Sequence, residues 1–142
     1  MKVLLSICMI AVASTAWASG GGHSSAAKPA ETGKISVPKA VGENARTVTE
    51  ILTKSTELKD KPVLVRGKVV KYNSGIMGKN WVHLQDGTGS SADNTHDVIV
   101  TTDNETKVGD VVTAKGIVRT DKDFGSGYSY KVLVEEATLT TK

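Results

Sequence analysis

The chain has 142 residues, with 18 Lys and Arg against 15 Asp and Glu and a formal net charge of +3. From Arg46 onward, 14 basic residues stand against 13 acidic ones, a near-neutral balance that excludes a dedicated duplex-DNA binder resting on a basic excess. A single cysteine, Cys8, excludes an internal disulfide framework, so one domain of ordinary size has to hold itself together by packing.

Lys2 and the apolar run VLLSICMIAVA (3–13) precede Ala16-Trp17-Ala18. The run is too short to span a bilayer, and the small-x-small tripeptide fits signal peptidase. The pattern predicts a secretory signal peptide over 1–18, cleaved after Ala18 and carrying Cys8 away with it. The product is then a periplasmic or secreted monomer without a membrane span. Residues 19–45 are rich in Gly, Ser, Ala, Pro and Lys, which predicts a disordered tether in which His23 is a solvated linker residue.

Order is expected from about residue 46. Thr47-Val-Thr-Glu50 has the capping-box form, and Val48, Ile51, Leu52 and Leu58 fall on one side at helical spacing. This predicts a helix of about three turns stopped before Pro62. Strands follow over 63–72, 80–86, 97–102, 111–120 and 128–139, the first bent by a bulge at Gly67 and the fourth carrying Gly116. In the second, Val82 and Leu84 share one face and Trp81, His83 and Gln85 the other.

Five strands, two of them long and interrupted by glycine, predict an all-β domain: a five-stranded OB-fold barrel over 46–142 with one N-terminal α-helix plugging its open end. Such barrels bind ligands across the second and third strands, between the loops joining strands one to two and four to five. Here these loops are residues 73–80 and 121–127. The candidate ligand-binding residues are Arg66, Lys68, Tyr72, Asn73, Lys79, Asn80, Trp81, His83, Phe124 and Tyr128, with Gln85 and Tyr130 beside them. Aromatic faces would stack on bases and the cations would meet phosphates. Residues 66–80 hold four basic residues and no acid, whereas 86–110 hold six acids and the single Lys107. The alternative for Trp81 and the tyrosines is packing, as barrel cover and cross-strand pairs.

GIMGKNW (75–81), HLQDGTG (83–89) and DFGSGYSY (123–130) closely resemble a family of exported bacterial OB-fold proteins commonly labelled DNA-binding or nucleotide-binding. The resemblance covers about residues 46 to 139 and implies the fold and the compartment. Some relatives carry a small β domain ahead of this one, where this chain has its Gly/Ala-rich tether.

A metal would have to use Asp93, His96 and Asp97, or Met77 near His83; Met and His suit softer metals, but none of these residues has a known ligand spacing. Residues 75–80 miss the phosphate-loop pattern, and no nucleophile stands with a His and a third group. The sequence therefore reads as a binding protein without catalysis or cofactor. Its ligand is a single-stranded nucleic acid or nucleotide; the alternative is an accessory protein of the envelope that docks on a protein partner or handles a metal.

Overall fold

A computed structural model describes residues 34–141. The expected signal peptide, and the tether as far as residue 33, lie outside the described residues. The elements are α1 (Val48–Thr53), α2 (Ser55–Leu58), β1 (Pro62–Ile76), β2 (Lys79–Gln85), β3 (Val98–Thr102), β4 (Val111–Asp123) and β5 (Ser129–Thr140). The five strands form one closed barrel in the order β1-β2-β3-β5-β4. All pairings are antiparallel except β3 with β5, which is parallel and held by only two register pairs, Val100↔Val134 and Thr102↔Ala137.

Alternation sends every second residue inward. Val63, Val65, Val69, Val82, Leu84, Val98, Val100, Val112, Ala114, Val118 and Val134 form the buried core. Short β-branched side chains suit so narrow an interior, because each fills its layer without a rotamer change. Val48, Ile51 and Leu58 close one end. The expected three-turn helix is two short ones: Lys54 leaves helical dihedrals at φ −108°, ψ 24°. After that break, a single turn carries Leu58 onto the core.

The capping box forms as expected, with Glu50 N–H donating to Thr47 Oγ1 at 3.1 Å and Thr47 N–H to Glu50 Oε1 at 3.3 Å. A second cap comes from far along the chain. Buried Asp86 accepts the Val48 N–H at 2.9 Å through Oδ2, and the Thr88 N–H and O–H at 3.0 and 2.5 Å through Oδ1. Thr88 Oγ1 in turn accepts the Thr49 N–H at 3.1 Å. The Asp86-Gly87-Thr88 turn thus supplies acceptors to donors that the first helical turn cannot satisfy itself.

Order also begins earlier than the sequence suggests. Residues 34–45 were expected to continue the tether, yet Val37 N–H donates to Asp86 O at 3.0 Å, Leu64 N–H to Asn44 O at 2.9 Å and Arg46 N–H to Leu64 O at 2.8 Å. Gly87 permits this, because a Cβ there would overlap the Ile35 carbonyl and φ is +90°. Low hydrophobicity misleads here, since backbone hydrogen bonds rather than side chains fasten the segment.

β1 changes partner along its length, pairing with β4 from Pro62 to Lys68 and with β2 from Lys68 to Ile76. Its register shifts fall between Val69 and Lys71 and between Asn73 and Ile76, so the bulge expected at Gly67 lies a few residues further on. At Gly116 the irregularity is real: β4 and β5 slip between Lys115 and Ile117, and a Cβ would come within 2.7 Å of both Glu135 O and Val134 Cγ1.

Candidate functional site

The first expected loop is mostly strand, and the second is strand as far as Asp123. β1 and β2 continue to the pair Ile76↔Lys79, leaving Met77 and Gly78 as the turn, and β4 runs to Asp123, leaving 124–128. Asn80 braces the first hairpin. Its Oδ1 accepts the Gly75 N–H at 3.1 Å, and its Nδ2 donates to Asn104 O at 2.9 Å. Its amide is thereby committed to the fold.

Trp81 faces outward from β2 as expected, but it is only 4 % exposed. Its Nε1–H donates to Ile76 O at 2.9 Å. The rings of Phe124, Tyr130 and Tyr128 stand 5.2, 5.4 and 6.2 Å from it, Phe124 edge-on and the two tyrosines tilted. The β4–β5 hairpin has thus laid its own aromatics where a stacked base would rest. Such packing satisfies both the apolar body and the polar handle of an indole. Tyr72 is drawn the other way and packs against the core cluster, because its pairing with Val82 puts it on the inward face.

The cations at this end are also spent. Glu135 is 4 % exposed, and around its carboxylate stand Arg119 Nε at 3.3 Å, Lys122 Nζ at 3.5 Å and Lys79 Nζ at 3.8 Å. Lys79 and Lys122 also lie 5.7 and 5.6 Å from the centre of the Phe124 ring. Removing a carboxylate from water is costly unless opposite charges surround it, so the three cations neutralise Glu135, and its negative charge in turn offsets their mutual repulsion. Lys79, expected on a ligand phosphate, is part of this cluster.

Next along β2, His83 Nδ1 lies 2.8 Å from Asp97 Oδ1, and Gln85 Nε2 donates to Asp97 Oδ2 at 3.0 Å. Burial alone would raise the Asp97 pKa, but hydrogen bonds from His83 and then Gln85 outweigh it and hold it below the usual carboxylate range. Asp93 is taken by Ser90 Oγ at 3.0 Å. Among the described residues, no group of three or more His, Cys, Asp or Glu is placed to hold a metal. Asp93 and Asp97 therefore belong to separate hydrogen-bond sets.

Arg66, Lys68, Lys71 and Asn73 remain on the outer side of β1. Among the described residues, no carboxylate reaches ion-pair distance of Arg66, Lys68 or Lys71. Met77 and Tyr128, at the two hairpin tips, are 43 % and 37 % exposed. Beside the first tip a cavity of about 510 Å³ opens between Lys79, Thr102, Asn104, Glu136 and Thr138. Sequence reasoning missed Glu135 and Asp86, and named Asp97 only as a metal ligand. The only signal for them was acidic residues inside or next to apolar strands, which burial makes exceptional unless partnered.

Among the described residues, no helix is long and apolar enough to cross a membrane. No family model and no curated protein sequence matches the chain. Solved structures similar to it include one assigned as an aspartyl-tRNA synthetase from Leishmania major Friedlin, with a TM-score of 0.47 and 16% sequence identity. That likeness covers 75% of this chain and 23% of the other, so the chain spans about a quarter of the protein it matches.

Proposed function

We propose that this is an exported OB-fold protein that works by binding, without catalysis, and that it docks a protein partner through the end of the barrel where the β1–β2 and β4–β5 hairpins meet. The strand order, with a parallel β3–β5 pairing completing an otherwise antiparallel barrel, supports the OB assignment. The observation that carries the choice of partner is the burial of Trp81 beneath Phe124, Tyr128 and Tyr130. A stacking platform needs free ring faces with free cations beside them, and here the rings and the cations that flank them, Lys79 and Lys122, are committed within the domain. What the hairpin tips do present is Met77 and Tyr128, an adaptable thioether and an amphipathic ring of the kinds that anchor protein interfaces. Further back along β1 lie Arg66, Lys68 and Lys71, without carboxylate partners among the described residues, which favours a partner surface that carries acids beside an apolar patch.

A photoreactive residue at position 77 or 128 tests this in cells that make the protein. The expected result is one discrete adduct, lost when Met77→Asp or Tyr128→Ala is added and absent with the same group at Val108. A salt-sensitive quench of Trp81 fluorescence by single-stranded DNA, with no discrete adduct, would replace this reading by the nucleic-acid one. Arg66, Lys68 and Lys71 are the residues that would favour that outcome, as the free cations of β1.

A further inference from the structure

β1 has one ladder too few. From Pro62 to Lys68 it has β4 on one side, and from Lys68 to Ile76 it has β2 on the other. On the β4 side, Val69 still finds partners, donating to Asp110 O and accepting from Gly109 N–H, each at 2.8 Å. Beyond Val69 no described residue replaces β4. The pairs Lys71↔His83 and Asn73↔Trp81 face β2, and strand alternation turns the N–H and C=O of Tyr72 and Ser74 to the opposite side. Among the described residues, no hydrogen bond reaches those groups from that side. This is a short exposed edge on a strand that elsewhere is paired within the closed barrel.

We infer that the free edge of β1 over residues 70–74 takes an extended peptide segment of the partner as an added strand, and that the segment alternates acidic with apolar residues. This deepens the docking reading above and rests on it. The backbone groups of Tyr72 and Ser74 give the added strand its hydrogen bonds, and the flanking side chains give it specificity. Lys71 is exposed on the outer face, with Lys68 three residues before it, and neither has a carboxylate partner among the described residues. Acidic side chains of the added strand would lie beside them. Its other face would meet the half-buried Tyr72, where an apolar residue fits. Lysine on an open edge also discourages pairing with a second, equally basic copy, which favours a different, acidic chain as occupant.

The test uses the protein with a short peptide alternating Glu and Val, and amide signals read by NMR with hydrogen exchange. The expected result is binding that protects the Tyr72 and Ser74 amides. Lys71→Glu should weaken it by about tenfold. Ser74→Pro, which removes an outward N–H that the native ladder does not use, should abolish it while the remaining amide spectrum stays folded. Shifts without protection at 72 and 74, equal binding of a Lys/Val peptide, or no binding would each overturn the inference. Tighter binding of oligothymidylate than of the peptide would overturn it in favour of nucleic acid, and protection without peptide at the mass of two copies in favour of self-association. If the peptide fails while position 77 or 128 still gives its discrete adduct, the edge inference falls alone. If both fail, the docking reading falls with it.

Discussion

Replacing Asp86 with alanine would strand three donors at once: the Val48 N–H and both the N–H and O–H of Thr88. Hydrogen bonds to a charged acceptor contribute about 1.5 to 3 kcal/mol each, and an unsatisfied buried donor costs about 1 to 3 kcal/mol. Losing the carboxylate also removes the cost of having buried it, which offsets part of the loss. A net destabilisation of about 3 kcal/mol follows. For a domain of this size that corresponds to a fall in Tm of about 12 to 24 °C. Urea unfolding followed by far-ultraviolet circular dichroism gives the free energy, and Thr88→Val supplies the second arm of a double-mutant cycle. Coupling of about 1 kcal/mol or more is expected between the two, since they share one network. If Asp86→Ala unfolds within about 0.5 kcal/mol of the parent, a range typical of surface changes, the capping account is wrong. HLQDGTG would then need a role other than fastening the helix.

Trp81→Ala should cost about 3 to 5 kcal/mol, the range for emptying a buried large aromatic site; a cost below 1 kcal/mol would mean the ring cluster does not form. In a signal-cleaved protein Trp81 is the sole tryptophan, and its emission should be blue-shifted and resistant to iodide quenching. Gly116→Ala should destabilise by about 1 to 3 kcal/mol through overpacking against the β5 backbone, and an unchanged urea midpoint would refute the close approach. Asp97 has its pKa lowered on folding, so it stabilises the fold above the unfolded carboxylate value near 4 and that contribution disappears as pH falls through the lower folded value. Asp97→Asn should therefore be less stable than the parent at neutral pH, with the difference shrinking toward pH 2; a difference that does not change with pH would remove the carboxylate's charge from the explanation.

Strand positions were legible because alternation is local: Val82 and Leu84 inward, Trp81 and His83 outward, could be read from one heptapeptide. Gly116 announced its irregularity in the same way. What alternation cannot reveal is what lies over an outward face. Trp81 is covered by residues more than forty positions downstream, and Lys79 is neutralised by Glu135, more than fifty downstream. Neither pairing has a sequence signature. The reading of Lys79 and Trp81 as free ligand groups assumed that an outward residue is an exposed one. Asp86 stands in a motif that no local pattern connects to its service to a helix beginning 38 residues earlier. The ordered segment 34–45 was lost for a further reason: composition reports on side-chain burial, whereas this segment is held mainly by its backbone.

The parallel joint between β3 and β5 has a bearing on how the molecule forms. The β1–β2 and β4–β5 hairpins join neighbours in the chain and can appear within microseconds. The joint has to bring residues 100–102 against 134–137, across the whole of β4, with only two register pairs to fix them. Non-local β closure of this kind sets folding in the millisecond-to-second range. Until that step is complete, β3 and β5 each present an open, valine-rich edge to any other chain. A newly made copy is therefore most vulnerable to mispairing just before the barrel shuts, and its passage through that stage depends on the Val100↔Val134 and Thr102↔Ala137 pairs forming.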